Sequence, residues 1–355
     1  MPSTSGPPTP ATISDLLTLI ITTSPTPSAP STELLDAVFQ SIRLHCADLL
    51  LCRIIVILDT FERIGEVARL KKGQVTEEGA RDFRRYTDNV KHLVLETYGQ
   101  IDSKDELIQE QGEAEYGYNG RAASVTTNVA TYTVNRTQDR RVSFVEPSER
   151  LGFGLAVRTA LRITTTPYVW IHQHDWTLVY DIPVAPMLDV MKTNDADEEG
   201  PVKYVCLASV RMLQYADTAH VQDFPHLRAL TAKLKRDFVP RSCPTTKVPL
   251  TPMFFWHDKP HIASTQHYLS RVFPTRLAIP RGAFIEDTIG HRARTQMKEQ
   301  GMWSRWGCWL FYPGEGKQLC LRHLDGRRWR GAEAEITMKA LYKQARDETK
   351  TIDSD

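Results

Sequence analysis

The stretch PYVWIHQHDW, residues 167–176, joins two kinds of sequence. Tyr168-Val169-Trp170-Ile171 is an unbroken run of β-branched and aromatic residues, the pattern of a strand buried on both faces. It stops abruptly at His172, Gln173, His174 and Asp175, which are polar and able to hold a cation. Ligands of open α/β sheets bind just past the carboxyl ends of the strands, so ligating side chains here predict a site. Side chains alternate along a strand, which puts His172 and His174 on opposite sides. His174, beside Asp175, is the one that can share a face with the site; His172 reads as a buried, satisfied histidine.

Working outward, the first half of the chain repeats one unit. LTLIIT (17–22) reads as a strand and is followed by TTSPTPSAPST, a loop dense in turn formers. Ser31 or Thr32 then caps a helix with Leu34, Leu35, Val38, Phe39 and Ile42 on its apolar face. RIIVIL (53–58) is a second buried strand ending at Asp59, and a charged helix covers about Thr76 to Glu96. Residues 100–140 are polar and weakly patterned, which predicts a long loop or an insertion. SFVEP (143–147) reads as a short strand, and Glu149–Thr164 as a helix leading into the Tyr168–Gln173 strand. Repeated β-loop-α units predict a doubly wound, mostly parallel sheet flanked by helices. Thr23, Asp59 and Gln173–Asp175 should then share one edge.

The second half is less regular. Strands are expected at Lys203–Met212, in the apolar run Thr251–Trp256, and within WGCWLFYP and KQLCLRHLDGR. Glu286–Gln300 reads as a helix. The expected organisation is one large domain: an N-terminal arm over 1–15, a first half over 16–180, a second half over 181–330, and a charged helical tail over 331–355.

Composition bounds the alternatives. Lys plus Arg number 44 and Asp plus Glu 43, a formal net charge of +1, which is not the footprint of a general nucleic-acid binder. The 6 cysteines form no CxxC pair, so free thiols are expected rather than a zinc ribbon. No stretch approaches the ~20 apolar residues of a membrane span, and MPSTSGPPTPATISD lacks the basic-then-apolar order of a secretory signal. These features favour a soluble, cytoplasmic protein.

Taken in order, the pieces resemble a GT-A-fold nucleotide-sugar glycosyltransferase of the family-2-like branch. The carriers are the TTSPTPSAPST loop after the first strand, the strand ending in Asp59, a helix containing Gly154, Arg158 and Ala160, and Gln173-His174-Asp175 where that family has Asp-any-Asp. FIEDTIGH (284–291) looks like the family's acidic pair at a helix start, and RHLDGR (322–327) like its C-terminal histidine segment. The resemblance covers roughly residues 17–327 in element order, and it would make 16–180 the nucleotide-sugar-binding half and 181–330 the acceptor-binding and catalytic half.

The resemblance implies transfer of a sugar from a UDP- or GDP-sugar to a hydroxyl of a glycan, protein or small molecule, with inversion and a divalent metal, Mn²⁺ or Mg²⁺. Donor binding would fall to Thr23, Ser24, Pro25, Asp59, Arg150, Arg158, Gln173, His174 and Asp175. Metal binding would fall to Asp175 and His323, and weakly, because Gln173 brings no charge where the family has an acid. Asp287, or else Glu286, would be the general base. Trp256, His257, Asp258 and His261 form an expected acceptor site, where an indole face stacks on a sugar and the polar groups bind hydroxyls.

Plainer roles compete. Asp59 could simply form a turn, the acids at 286 and 287 could simply cap a helix, and Trp256 could be a core residue beside a polar turn. Two other functions also compete. Gln173 fits a degenerate module that binds nucleotide without turnover. His-any-His-Asp at a strand end fits a metallohydrolase, although residues 176–190 supply no further histidine.

Overall fold

A computed structural model describes residues 12–117 and 128–338. It is a single α/β domain built on one mixed, 11-stranded sheet. In chain order the strands of this sheet and of its two small satellites are β1 (Leu17–Thr23), β2 (Arg53–Leu58), β3 (Arg63–Ile64), β4 (Gln74–Val75), β5 (Ile108–Glu115), β6 (Val129–Arg136), β7 (Val142–Pro147) and β8 (Tyr168–Gln173). They continue with β9 (Trp176–Leu178), β10 (Tyr204–Cys206), β11 (Arg236–Phe238), β12 (Val248–Pro252), β13 (His261–Ser264), β14 (Cys308–Phe311) and β15 (Leu321–His323). The main sheet runs β11-β12-β14-β10-β13-β8-β1-β2-β7-β6-β5.

At its centre, β8, β1, β2 and β7 are parallel neighbours. These are the strands whose sequences are continuous apolar runs. Leu19, Ile20 and Ile21 of β1 are fully buried, and each such side chain contributes roughly 1.5–3 kcal/mol by leaving water. The parallel order ends on both sides: β13 is antiparallel to β8, and β6 is antiparallel to both β7 and β5. Most strands still point the same way, with β6, β12 and β13 running against the rest.

Helices pack as their periodicity requires. Glu33–His45 buries Leu34, Leu35, Val38, Phe39 and Ile42. Glu77–Thr97 starts at Thr76, whose hydroxyl accepts the Gly79 N–H at 3.0 Å, a cap that satisfies one free helix-end donor. Phe153–Ile163 is buried on nearly every face, including Arg158.

Several expectations change. Residues 100–140 are not a plain loop: β5 and β6 form an antiparallel pair at the sheet edge, and residues 118–127 lie outside the described residues. β5 carries no apolar pattern in the sequence because it is largely exposed. The strand expected over 203–212 is only β10, after which the chain turns through a 3₁₀ turn at Val210–Met212. The helix expected from Glu286 begins as a π turn, Glu286–Gly290, and continues as α-helix to Lys298. The tail beyond Arg330 is helical over 332–338, and the remainder of that expectation lies outside the described residues. Among the described residues no helix is long and apolar enough to cross a membrane.

Candidate functional site

The parallel register sets β1, β2 and β8 side by side, so their carboxyl ends converge. Two cavities meet there. A small one, about 90 Å³, lies among Thr22–Pro25, Asp59, Arg150 and His174. A large one, about 700 Å³, lies between the β8 end, Asp258-Lys259, Phe284–Asp287 and the segment 321–327. Gln173, Asp175, Phe284 and Arg327 line both.

Asp175 sits at the junction. Its Oδ2 accepts from His323 Nε2 at 3.1 Å and from the Gly326 N–H at 3.2 Å. Its Oδ1 is buried and has no protein partner. Burial alone would raise this carboxyl, but the His323 hydrogen bond and the nearby His174 and His323 rings hold it at about 2. His323 is held above its ordinary value by the same bond. Pairing of β15 with β9 places His323 opposite Trp176, where the rings pack 4.6 Å apart. Gly326 completes the contact: a Cβ there would lie 2.9 Å from Asp175 Cβ and 3.1 Å from His174 Nε2.

The two histidines of β8 and its turn divide as alternation requires. His172 is fully buried; its Nδ1 accepts the Trp170 indole N–H at 3.0 Å and its Nε2 donates to the Trp176 carbonyl at 2.7 Å. Burial lowers it to about 4, so it is a neutral core group. His174 faces the small cavity. Ser24 N–H and the Thr23 hydroxyl both approach its Nδ1, at 3.4 and 2.6 Å. Nδ1 is thus the acceptor and Nε2 carries the ring proton. Tyr86 hydroxyl donates onward to Thr23 at 2.7 Å, fixing the chain Tyr86–Thr23–His174.

Gln173 has a local reason to be an amide. Its Nε2 donates to the Asp258 carbonyl at 2.8 Å, and a carboxylate could not. Asp59 is also committed: its two oxygens accept the N–H groups of Leu151 and Gly152 at 2.7 and 2.9 Å. Desolvation pushes it up to about 6 despite those bonds. Arg150 lines the small cavity beside it and forms no ion pair among the described residues. Arg158 is elsewhere, buried with its guanidinium on the carbonyls of Glu115 and Arg276.

The acidic cluster of the large cavity is asymmetric. Both oxygens of Asp258 lie 3.2 Å from the Glu286 N–H, and Glu286 Oε2 accepts the Asp258 N–H at 3.2 Å and faces His257 Nδ1 at 3.3 Å. Burial and the nearby Glu286 charge drive Asp258 well up. Glu286 is partly buried, yet the His257 N–H and the Lys259 charge bring it down to about 2. Burial keeps His257 low, and a neutral imidazole still donates. Asp258 and Glu286 are thus shifted in opposite directions and hold each other's backbone N–H as a mutual cap. Asp287 projects into the cavity, exposed and without a side-chain partner among the described residues.

Trp256 and His261 are fully buried. The indole packs 4.2 Å from Tyr204 and 4.9 Å from Tyr268, which leaves no face for a sugar. Sequence reasoning missed Arg211, Lys259 and Arg322, which bring positive charge to the large cavity. It also missed Phe284, which stacks on Phe153 at 5.9 Å, and Arg327, which lies over the Phe284 ring at 5.5 Å. Among the described residues no group of three or more His, Cys, Asp or Glu side chains is arranged to hold a metal.

No protein-family model and no curated protein matches the chain. Among solved structures, mannosyltransferase PcManGT from Pyrobaculum calidifontis, in complex with GDP-Man and Mn²⁺, is similar over 85% of this chain and 58% of that one, at 12% identity and a TM-score of 0.36. At that level a likeness establishes neither a shared fold family nor a shared activity.

Proposed function

We propose that this protein is a GT-A-like, family-2-like glycosyltransferase that moves a sugar from a UDP- or GDP-sugar to an acceptor hydroxyl with inversion. The observation that carries the reading is the buried, unpartnered Oδ1 of Asp175 at the meeting point of two cavities. A donor's nucleoside is assigned to the side of Thr23, Ser24 and Pro25, where the cavity of about 90 Å³ must widen to admit it. Its diphosphate then reaches Arg150, His174 and Arg327, and its sugar enters the large cavity where the acceptor waits.

The chemistry needs a base and charge neutralisation. Asp287 takes the proton of the acceptor hydroxyl, whose oxygen bonds to the anomeric carbon as the carbon–phosphate oxygen bond breaks. The diphosphate leaves with that electron pair. Asp258, tied to Glu286 through reciprocal backbone N–H contacts, lines the wall beside Asp287. Mn²⁺ or Mg²⁺, when bound, would act as a Lewis acid on the diphosphate. Asp175 Oδ1 and His323 are the residues to hold it, and two ligands suit an ion that keeps most of its coordination from phosphate and water.

One observation favours the binding-module alternative: the Gln173 amide N–H is taken by the Asp258 carbonyl, and the side chain brings no charge to the site. Release of nucleoside diphosphate from a panel of UDP- and GDP-sugars separates the two, since a module binds without turnover. A metallohydrolase needs a third ligand, and Asp175 with His323 makes a pair.

A further inference from the structure

Between β2 and the helix Glu77–Thr97 the chain leaves the body of the protein as a flap over residues 62–75. It is a built structure. β3 pairs with β4, Glu62 N–H donates to Gly73 O at 2.7 Å, and Gly65 N–H donates to Val75 O at 2.9 Å. The Gln74 side chain spans it from inside, accepting from Arg63 Nε at 2.8 Å and donating to Val67 O at 2.7 Å. Gly65 leaves room for that side chain: a Cβ there would lie 2.6 Å from Gln74 Nε2. Gly73 closes the flap at φ +69°, a conformation that costs most other residues.

The outer surface of this flap is unusual in two ways at once. Ile64 is 47% exposed and Val67 65% exposed. Around them Arg63, Arg69, Lys71 and Lys72 are exposed and form no ion pair among the described residues. Glu66 is the single acid between residues 63 and 72. The chain as a whole carries only +1, so this concentration of positive charge is local. At its base, Leu70, Gly73 and Val75 wall the small cavity.

We propose that the flap docks the protein on an anionic membrane surface. Aliphatic tips ringed by Lys and Arg match the bilayer interface: the apolar groups enter the acyl boundary while the cations meet lipid phosphates and carboxylates. Single-stranded nucleic acid is the poorer match, because it rewards aromatic stacking platforms and the exposed apolar tips here are Ile and Val. Docked this way, the flap holds the mouth of the small cavity at the lipid surface. The proposal rests on the flap alone and stands whether or not the protein transfers sugars.

The test is sedimentation of the full chain with phosphatidylcholine vesicles, with and without phosphatidylserine. Binding is expected only with phosphatidylserine, weakening as salt is raised. Lys71→Glu with Lys72→Glu should weaken it at least about tenfold. Ile64→Asn with Val67→Asn should weaken it several-fold at unchanged charge. All these side chains are exposed, and an unchanged Tm verifies folding. Absence of binding to phosphatidylserine vesicles overturns the proposal, as does unaltered binding by both variants. If only the charge variant loses binding and a short oligonucleotide displaces the vesicles, the flap is a polyanion site and the proposal also fails.

Discussion

His323 Nε2 and Asp175 Oδ2 lie 3.1 Å apart, although 148 positions separate them in the chain. The bond depresses the acid and raises the base, and it leaves Asp175 Oδ1 bare. A proton on His323 and a metal ion therefore compete for one place.

That competition gives a pH dependence. Bound metal requires neutral imidazole, so Mn²⁺ affinity in the presence of nucleoside diphosphate should rise as pH climbs through the raised value of His323. Titration calorimetry at a series of pH values reads this, and His323→Ala should flatten the slope. For stability the two partners act in opposite directions, and only the His323 share runs against the metal. The Asp175 share is present above 3.8 and lost as pH falls through about 2. The His323 share is present below 6.5 and lost as pH rises through its raised value. The Tm difference between wild type and His323→Ala should thus be largest in mildly acid buffer and shrink in alkaline buffer.

The acids at 286 and 287 should separate by experiment. Asp287→Asn is expected to cut kcat by ~10²–10⁴-fold with little change in donor KM, the signature of a lost general base. Glu286→Gln should lower Tm, since Glu286 holds the Asp258 N–H and faces His257. A large kcat loss for Glu286→Gln with Asp287→Asn near wild type would move the base by one residue.

Placing an acid at position 173 should not strengthen the site. Gln173→Asp removes the donor to the Asp258 carbonyl and sets a negative charge beside it. Leaving such a buried acceptor unpaired costs about 1–3 kcal/mol. Denaturant melts should show that loss, and calorimetry should show no gain in Mn²⁺ affinity. Tighter Mn²⁺ binding at unchanged stability would mean that Gln173 faces the ligand.

The central strands were legible because their apolar runs are uninterrupted and buried on both faces; Arg53–Leu58 and Tyr168–Gln173 match the sequence reading residue for residue. The convergence of Thr23, Asp59 and Asp175 followed from parallel order alone. What was hidden lies in tertiary context. β5 reads as polar because it is an exposed edge strand. Trp256 and a surface-stacking tryptophan look alike in sequence; the rings of Tyr204 and Tyr268 decide between them. Arg158 and Arg150 are both arginines near one helix, yet only Arg150 lines the small cavity. Phe284 and Gly326 carry no local signal, because each matters through a residue far away in the chain.

The most direct test of the glycosyltransferase reading is nucleoside diphosphate release from UDP- and GDP-sugars with Mn²⁺, measured for wild type and Asp175→Asn. Wild type should turn over at least one donor. Asn keeps the shape of Asp175 and removes its charge, so turnover should fall by more than about a hundredfold with little change in Tm. Turnover of no donor, or turnover by Asp175→Asn within a few fold of wild type, would contradict the account.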